Sequence, residues 1–208
     1  MKVFAINGSP RPDNNTGRAL GVMRAELEKN GIETEVFSLG RENIHGCTGC
    51  RGCFSAADNF CVITGDSLNS AAEKARAADG LVFAVPTYYA GIAGTMKCFL
   101  DRLFYSSSRF FRGKAGASLT VARRAGGVDT IHQLNNYMNL AEMVIAPSHY
   151  WASVFGMSPG EIEKDGEGIQ TIRRNAGALA WLLKIIDAAK ETHPFPAIEE
   201  RVRTNFIR

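Results

Sequence analysis

Apolar and polar positions along the chain follow two periods, which predict strands and helices in alternation. Residues 2–7 form a short β-branched run that stops at a glycine and two nearby prolines. From Thr16, apolar side chains recur at helical spacing as far as the Asn30-Gly31 pair, which suits the left-handed end of a helix. Residues 81–85 are apolar throughout, as is typical of a parallel strand buried on both faces. The predicted strands are residues 2–7, 33–39, 81–85, 115–122 and 143–146, and the predicted helices are residues 16–30, 67–78, 95–104, 129–141 and 166–190.

Five βα units in succession predict an α/β fold with a doubly wound parallel sheet and helices on both faces. We expect five strands in the order 2-1-3-4-5, because right-handed crossovers leave few other arrangements. A chain of 208 residues is within the size of one domain, so we expect a single domain over residues 1–208. Residues from about 193 to 208 carry two prolines and are interpreted as a C-terminal arm that reaches a neighbouring subunit.

The predicted strand order creates a crevice at the carboxyl ends of strands 1 and 3, where the winding of the sheet reverses direction. Two loops meet at this crevice, residues 8–16 and residues 86–94. We therefore expect the ligand of this protein to lie between these two loops.

The loop of residues 8–16, with the sequence GSPRPDNNT, has the composition of a phosphate site. Hydroxyl and amide side chains, one guanidinium and a run of backbone amides lead into a helix N-terminus, and this combination attracts a phosphate dianion. The loop lacks the spaced glycines of the dinucleotide fingerprint and the Gly-Lys-Ser/Thr ending of the NTPase loop, so ATP and a Rossmann-bound NAD are disfavoured. An ordinary strand-to-helix turn is the alternative interpretation. The predicted phosphate ligands are Ser9, Arg11, Asn15 and Thr16.

The loop of residues 86–94, with the sequence PTYYAGIAG, has the composition of a site for a flat ring. Two aromatic side chains and several small residues follow a buried strand, which suits stacking and backbone hydrogen bonds. Taken alone, the loop is equally compatible with a hydrophobic turn packed under a helix. The predicted ring contacts are Pro86, Thr87, Tyr88, Tyr89 and Gly91, with Tyr88 or Tyr89 covering the ring.

Overall composition excludes several classes of protein. Apolar residues make up 45% and charged residues 22% of the chain, which are ordinary values for a globular domain. The net charge is +3, and the basic residues are scattered, so the usual footprint of nucleic-acid binding is missing. No apolar run approaches the roughly 20 residues that span a membrane. We expect a cytoplasmic protein without nucleic-acid or membrane partners.

Four of the five cysteines, Cys47, Cys50, Cys53 and Cys61, fall in one short segment, and Cys98 stands apart. In a reducing compartment such a cluster indicates metal or redox chemistry before disulfides. The spacing could ligate a 4Fe-4S cluster, although the last gap is longer than in bacterial ferredoxins and no proline follows the last cysteine. Free or redox-switching thiols and structural zinc are the other two interpretations.

Short motifs carry a family resemblance over nearly the whole chain. They are GSPR at 8–11, NT at 15–16, ADG at 78–80, PTY at 86–88, MK at 96–97, DR at 101–102, RRAGG at 123–127, YW at 150–151 and AWLL at 180–183. With them the chain resembles the NADPH-dependent FMN reductase and multimeric-flavodoxin family. The resemblance implies a flavodoxin-like fold, bound FMN, a homodimer or homotetramer, and a third ring-contacting loop. The residues implied for that loop are Arg123, Arg124, Gly126 and Gly127.

Two main functions follow from these features, and a flavin-binding sensor or scaffold without turnover is a third, weaker interpretation. The first is an FMN-dependent NAD(P)H oxidoreductase that passes electrons to a quinone, a flavin or another small acceptor, with no catalytic side chain because the flavin carries the chemistry. The second is an electron carrier between protein partners, because the cysteine spacing resembles that of the iron-sulfur flavoproteins of the same larger family. A ferredoxin-type electron donor is among the partners that this second function implies.

Overall fold

Seven strands and six α-helices make up the chain in a computed structural model that describes residues 1–11, 13–200, 202–204 and 206–207. Pro12 of the predicted phosphate loop and three residues of the predicted arm lie outside the described residues. The strands are β1 (Lys2–Asn7), β2 (Glu33–Ser38), β3 (Gly80–Tyr88), β4 (Gly91–Ile92), β5 (Ala115–Ala122), β6 (Val144–Ile145) and β7 (Ser153–Phe155). The helices are α1 (Asn15–Lys29), α2 (Gly52–Ser55), α3 (Leu68–Ala77), α4 (Gly94–Ser107), α5 (Gly127–Leu140) and α6 (Gly166–Ala189).

The strands form one sheet whose hydrogen-bonded path runs β2-β1-β3-β5-β6. Pairing along this path is parallel, β4 folds back antiparallel on β3, and β7 pairs in parallel with β5. The α/β class and the parallel sheet are confirmed. The predicted count of five strands is too low, because β4 and β7 were not recognised.

Physical reasons explain why the sequence pattern does not predict β4 and β7. The turn before β4 consists of Tyr89 and Ala90, both left-handed with φ of 51° and 57°, whereas such two-residue turns usually contain Asn or Gly. On the sheet edge, β6 pairs only with the start of β5 and β7 only with its end. The intervening segment contains Pro147, which cannot continue a ladder. The predicted strand at residues 143–146 is therefore the first part of an interrupted edge strand.

Helices cover both faces of the sheet and bury one core on each. On one face α1 and α6 pack Leu20 and Leu179 near Val82 of the central strand β3. On the other face α3, α4 and α5 form the second core, in which Phe99 and Phe83 are fully buried. Each fully buried side chain of this kind contributes about 1.5–3 kcal/mol, so the two cores hold β3 in the middle of the molecule. Among the described residues, no helix combines the length and apolarity needed to cross a membrane.

The first helix begins and ends at the residues that local chemistry favours. Its N-cap is Asn14, whose side chain accepts a hydrogen bond from the backbone amide of Gly17. Its C-terminal turn is followed by Gly31, which has a φ of 79°, as the Asn30-Gly31 pair predicted. The loop of residues 8–16 is thus anchored between a central strand and a capped helix.

The start of the predicted C-terminal arm is held against the domain. Arg112 donates a hydrogen bond of 2.6 Å to the backbone carbonyl of Pro196, and its guanidinium lies 4.7 Å from the centre of the Phe195 ring. Further along, Ile198 and Val202 are exposed. Contact of this arm with a neighbouring subunit stays a prediction.

Lys114 closes the C-terminal end of α3. Its ammonium group donates hydrogen bonds to the backbone carbonyls of Ala75, Arg76 and Ala78, which lack partners within the helix. Burial lowers the pKa of Lys114, and only the nearby Asp79 opposes this shift.

Replacing Lys114 with Met is expected to lower the free energy of unfolding by about 1–3 kcal/mol, because the helix carbonyls would remain buried without a donor. Urea unfolding of Lys114→Met measures this loss. Lys184→Met, at an exposed position of α6, is the matched control and is expected to change stability by less than about 0.5 kcal/mol. Equal stability of the two variants would contradict the capping role.

Candidate functional site

A cavity of about 500 Å³ lies at the carboxyl ends of β1 and β3, where the sheet reverses its winding. The loops after these strands meet in it, together with the end of β5 and the segment of residues 156–159. Eight of the predicted contacts line it: Ser9, Arg11, Asn15, Thr16, Pro86, Thr87, Tyr88 and Arg123. The predicted contacts Tyr89, Gly91, Arg124, Gly126 and Gly127 do not line this cavity.

The first loop is wound tightly by its own hydrogen bonds. The backbone amide of Ser9 donates to the Asn7 side chain at 3.1 Å, and the amide of Arg11 donates to Ser9 Oγ at 3.3 Å. A Cβ atom on Gly8 would lie 2.8 Å from Met96 of α4, so only glycine allows this approach. Ser9 is buried and Arg11 is exposed. The result is a concave loop at a helix N-terminus that carries the exposed guanidinium of Arg11, which suits an anion.

Asn15 has a role that its sequence position did not suggest. Its Nδ2 donates to the carbonyl of Ser158 at 2.8 Å, and its Oδ1 accepts from the amide of Gly160 at 2.8 Å. Gly156 lies against this contact, because a Cβ there would be 3.0 Å from Asn15 Nδ2. Asn15 therefore holds the segment of residues 156–160 over the cavity. The Gly-Met-Ser-Pro-Gly sequence is a recognisable turn, but nothing in it indicated a place at the ligand site.

The second loop is a hairpin that points one of its two tyrosines at the cavity. Tyr88 lines the cavity, whereas Tyr89 at the tip of the hairpin is fully exposed. Gln133 of α5 braces the hairpin by accepting from the amide of Ile92 at 3.2 Å and donating to the carbonyl of Ala90 at 3.3 Å. Of the two tyrosines predicted to cover a ring, Tyr88 lines the cavity and Tyr89 does not.

Hydroxyl groups fix the base of this hairpin to its neighbours. Thr87 Oγ1 lies 2.9 Å from Thr120 Oγ1 of β5 and accepts from Thr130 Oγ1 of α5 at 3.2 Å. Thr120 in turn donates to the carbonyl of Val85 at 2.9 Å. The Thr87 hydroxyl is thus occupied by protein partners, and its position depends on three different elements.

Arg123 of the third loop lines the cavity, and the rest of this loop packs against the hairpin. Gly126 has a φ of 84°, and a Cβ on it would lie 2.9 Å from Ala90 Cα and 3.3 Å from Thr87 Cγ2. Arg124, Gly126 and Gly127 line an adjacent cavity of about 400 Å³. Glycine at 126 therefore allows the two loops to close on each other, a role that the resemblance alone did not imply.

The four clustered cysteines converge on a second place. Cys47 and Cys50 are exposed, Cys53 is buried and Cys61 is half-buried, and all four line one small pocket beside α4. A larger cavity of about 560 Å³ adjoins this pocket and shares Cys47 with it. The cysteine pocket is separate from the cavity between the two loops.

The cysteine thiols have different environments. Hydrogen bonds from the backbone amide of Gly52 and from Thr48 lower the pKa of the exposed Cys50 thiol. Burial, and then the neighbouring cysteines, raise the pKa of the Cys53 thiol. Gly52 is required by close packing, because a Cβ there would lie 2.5 Å from Val62 Cγ2.

The four cysteine thiols are donors that suit a metal ion or an iron-sulfur cluster. Among the described residues, no three side chains of His, Cys, Asp or Glu are arranged as a ready ligand set for one metal ion. The four thiols nevertheless share one pocket, and thiolates are the donors of both zinc and 4Fe-4S sites. The four residues therefore suit either group in number and chemistry, and a metal or cluster bound by them stays a prediction.

The sequence profile of one family, described as NADPH-dependent FMN reductase, matches residues 1–157. The chain is also 31% identical over 194 residues to an iron-sulfur flavoprotein of Methanocaldococcus jannaschii. The alignment covers 89% of this chain and 99% of that protein. The profile match includes both loops of the cavity and the whole cysteine segment.

Solved structures share the fold. RosB, solved with bound 8-demethyl-8-formylriboflavin-5'-phosphate, aligns with a TM-score of 0.69 at 20% identity over 100% of this chain and 94% of its own. A flavodoxin from the domain Archaea aligns with a TM-score of 0.59 at 14% identity over 88% of this chain and 99% of its own. The predicted flavodoxin-like class is thereby confirmed.

Replacing Gly126 with Ala is expected to destabilise the protein by about 1–3 kcal/mol, because the new Cβ would strain a left-handed residue and press on the hairpin. Urea unfolding measures this effect. Gly177→Ala is the matched control: its Cβ would meet nothing within 4 Å in α6, so a gain of about 0.5–1 kcal/mol is expected. A Gly126→Ala protein as stable as the wild type would contradict the packing role.

Proposed function

The chain belongs to the NADPH-dependent FMN reductase family, and we propose that it is an FMN-dependent NAD(P)H oxidoreductase that passes electrons to a quinone, a flavin or another small acceptor. The observation that carries this proposal is the cavity of about 500 Å³ shared by the anion-binding loop and the Tyr88 hairpin. When bound, FMN supplies the hydride and electron transfer. The protein supplies binding, orientation and charge.

The phosphate of FMN would lie at the N-terminus of α1. Ser9 and Thr16 offer hydroxyl groups there, and Arg11 offers a charged fork that can close on the phosphate from the surface. Asp13 also lines this end of the cavity, but Arg18 pairs with it at 3.2 Å. That pairing limits the repulsion that the carboxylate would exert on an anion.

The ring of FMN would lie against the hairpin. Pro86, Thr87 and Tyr88 form one side, and the segment held by Asn15 closes the phosphate end. Tyr88 is the side chain that we propose to contact the flat face of the ring. Gly91 and Tyr89 act indirectly, as parts of the braced hairpin.

The third loop would lie at the pyrimidine end of the ring. Arg123 lines the cavity, and Arg124 is exposed beside it. Gly126 and Gly127 line the adjacent cavity, so they would act on the ring indirectly, by letting the third loop close on the hairpin. The two arginines also favour the approach of an anionic nicotinamide cofactor, NADH or NADPH, from solvent.

We also propose that copies of the chain form a homodimer or homotetramer in the cytoplasm, without nucleic-acid or membrane partners. Exposed apolar side chains support such assembly, since Trp181 is 62% and Leu140 is 85% exposed in the single chain. The fully exposed Tyr89 lies beside the proposed ring site and would be covered by a second copy.

A second function is favoured by the cysteine pocket. Four thiols in one pocket, in a chain that resembles a protein named iron-sulfur flavoprotein, support a 4Fe-4S cluster that relays electrons between FMN and protein partners. A ferredoxin-type protein would then be the electron donor. The alternatives to a cluster are a zinc ion bound by the four cysteines and free thiols without any metal, and an experiment must distinguish them.

Replacing Arg11 with Ala is expected to weaken FMN binding about 10- to 150-fold, which corresponds to the roughly 1.5–3 kcal/mol of a charged hydrogen bond. Fluorescence titration of the apoprotein with FMN measures the affinity. Arg24→Ala removes an exposed arginine of α1 that pairs with Glu28, and it is expected to leave the affinity unchanged. Equal affinities for wild type and Arg11→Ala would contradict the phosphate site.

Anaerobic purification followed by absorption spectroscopy and iron analysis separates the two functions. We expect NADPH to bleach the flavin absorption band rapidly, because an NAD(P)H oxidoreductase must reduce its own flavin. About four iron and sulfide per chain without bleaching would contradict the oxidoreductase and support the electron carrier.

A further inference from the structure

Arg102 of α4 forms its hydrogen bonds and its salt bridge with one segment of the chain, residues 45–66, which contains the four clustered cysteines and is called the cysteine segment. The side chain of Arg102 is fully buried, and its Nε donates to Cys61 Sγ at 3.3 Å. Its Nη1 donates to the carbonyl of His45 at 3.3 Å and its Nη2 to the carbonyl of Ile63 at 2.6 Å. Asp66, with a nearly buried carboxylate, forms a salt bridge with the same guanidinium. All of these acceptors belong to residues 45–66.

The chemistry of this contact requires arginine. A guanidinium has five donors in a rigid plane, which can reach several acceptors at once, whereas a lysine ammonium acts as a single point. A guanidinium stays protonated in proteins, and the salt bridge with Asp66 pairs the charge of Arg102 inside the protein.

We propose that Arg102 is the positioning residue of the cysteine pocket. Its guanidinium holds the segment of residues 45–66 against α4, so that the four thiols converge, and its Nε–H donates to one of the four sulfurs. The inference rests on the proposed metal or cluster role of the cysteines and is independent of the FMN site. Hydrogen bonds to ligand sulfurs and nearby positive charge also raise the reduction potential of a bound cluster.

A second arginine in the same region provides a matched control. Arg76 of α3 donates to the carbonyls of Asp58 at 2.7 Å and Asn59 at 2.8 Å, and its guanidinium lies 3.8 Å from the centre of the Phe60 ring. It thus holds the cysteine segment as Arg102 does, but the acceptors of these bonds are oxygens. Its substitution therefore shows how far the loss of contacts to backbone oxygens of this segment, without a contact to sulfur, affects the thiols.

The experiment titrates the FMN-loaded, metal-free, reduced protein with Cd²⁺ and follows the ultraviolet thiolate-to-metal absorption. The main variant combines Arg102→Gln with Asp66→Asn, because removing the arginine alone would leave a buried carboxylate unpaired. We expect this variant to bind Cd²⁺ about 10- to 100-fold more weakly than the wild type, as is typical when a partner of a metal ligand is lost. Arg102→Lys keeps the charge and is expected to be intermediate. Arg76→Gln is expected to stay within about threefold of the wild type.

Three results would overturn the proposal: unchanged Cd²⁺ affinity in the double variant, an equal loss in Arg76→Gln, or a wild-type protein whose absorption shows no binding through several thiolates. Unfolding midpoints and FMN content establish that each variant is folded. If the double variant does not fold, the Cd²⁺ affinity of Arg102→Lys is the test. An affinity equal to that of the wild type would then overturn the proposal. If the wild type does not bind FMN, the proposed function fails, and the same Cd²⁺ titration of the FMN-free proteins, with unfolding midpoints as the folding check, still tests Arg102.

Discussion

The parallel pairing of β1 with β3 is the constraint on which the rest of the structure depends. In the register of this pair Asn7, the last residue of β1, lies opposite Ala84, and β3 continues to Tyr88, so the loops after both strands lie at the same edge of the sheet. The amide of Gly8 extends the ladder by donating to the carbonyl of Ala84 at 2.8 Å. The loops after the two strands therefore face each other across one cavity, and cores on both sides of β3 keep that edge rigid.

Close contacts between loops then turn this edge into a defined site. Asn15 connects the first loop to a segment more than 140 residues later in the chain. The hydroxyl of Thr87 and the missing side chain of Gly126 join the hairpin to β5 and to the third loop. Because each loop is held by another, the proposed FMN site is largely formed before its ligand arrives, which reduces the entropy lost on binding.

Helix α4 connects the two chemical regions of the molecule. Its first turn follows the hairpin, and Met96 packs against Gly8 of the phosphate loop. Arg102, about two turns later, reaches the cysteine segment. At 1.5 Å per residue these two contacts are about 9 Å apart along the helix axis. One rigid element thus fixes the proposed flavin site relative to the proposed metal site.

Local chemistry was sufficient to predict much of this fold. Strands 2–7 and 115–122 were predicted with the observed bounds, because period and β-branched composition are properties of neighbouring residues. The assignment of the loop of residues 8–16 to an anion rests on the same local grounds and stays a prediction. The hairpin at Tyr89 and Ala90, the second part of the edge strand, the contact of Asn15 with Ser158 and the direction of Arg102 were decided only by the tertiary structure. Each depends on partners far away in the chain, and residue type and spacing carry no information about which distant carbonyl, sulfur or strand edge will lie within hydrogen-bonding distance.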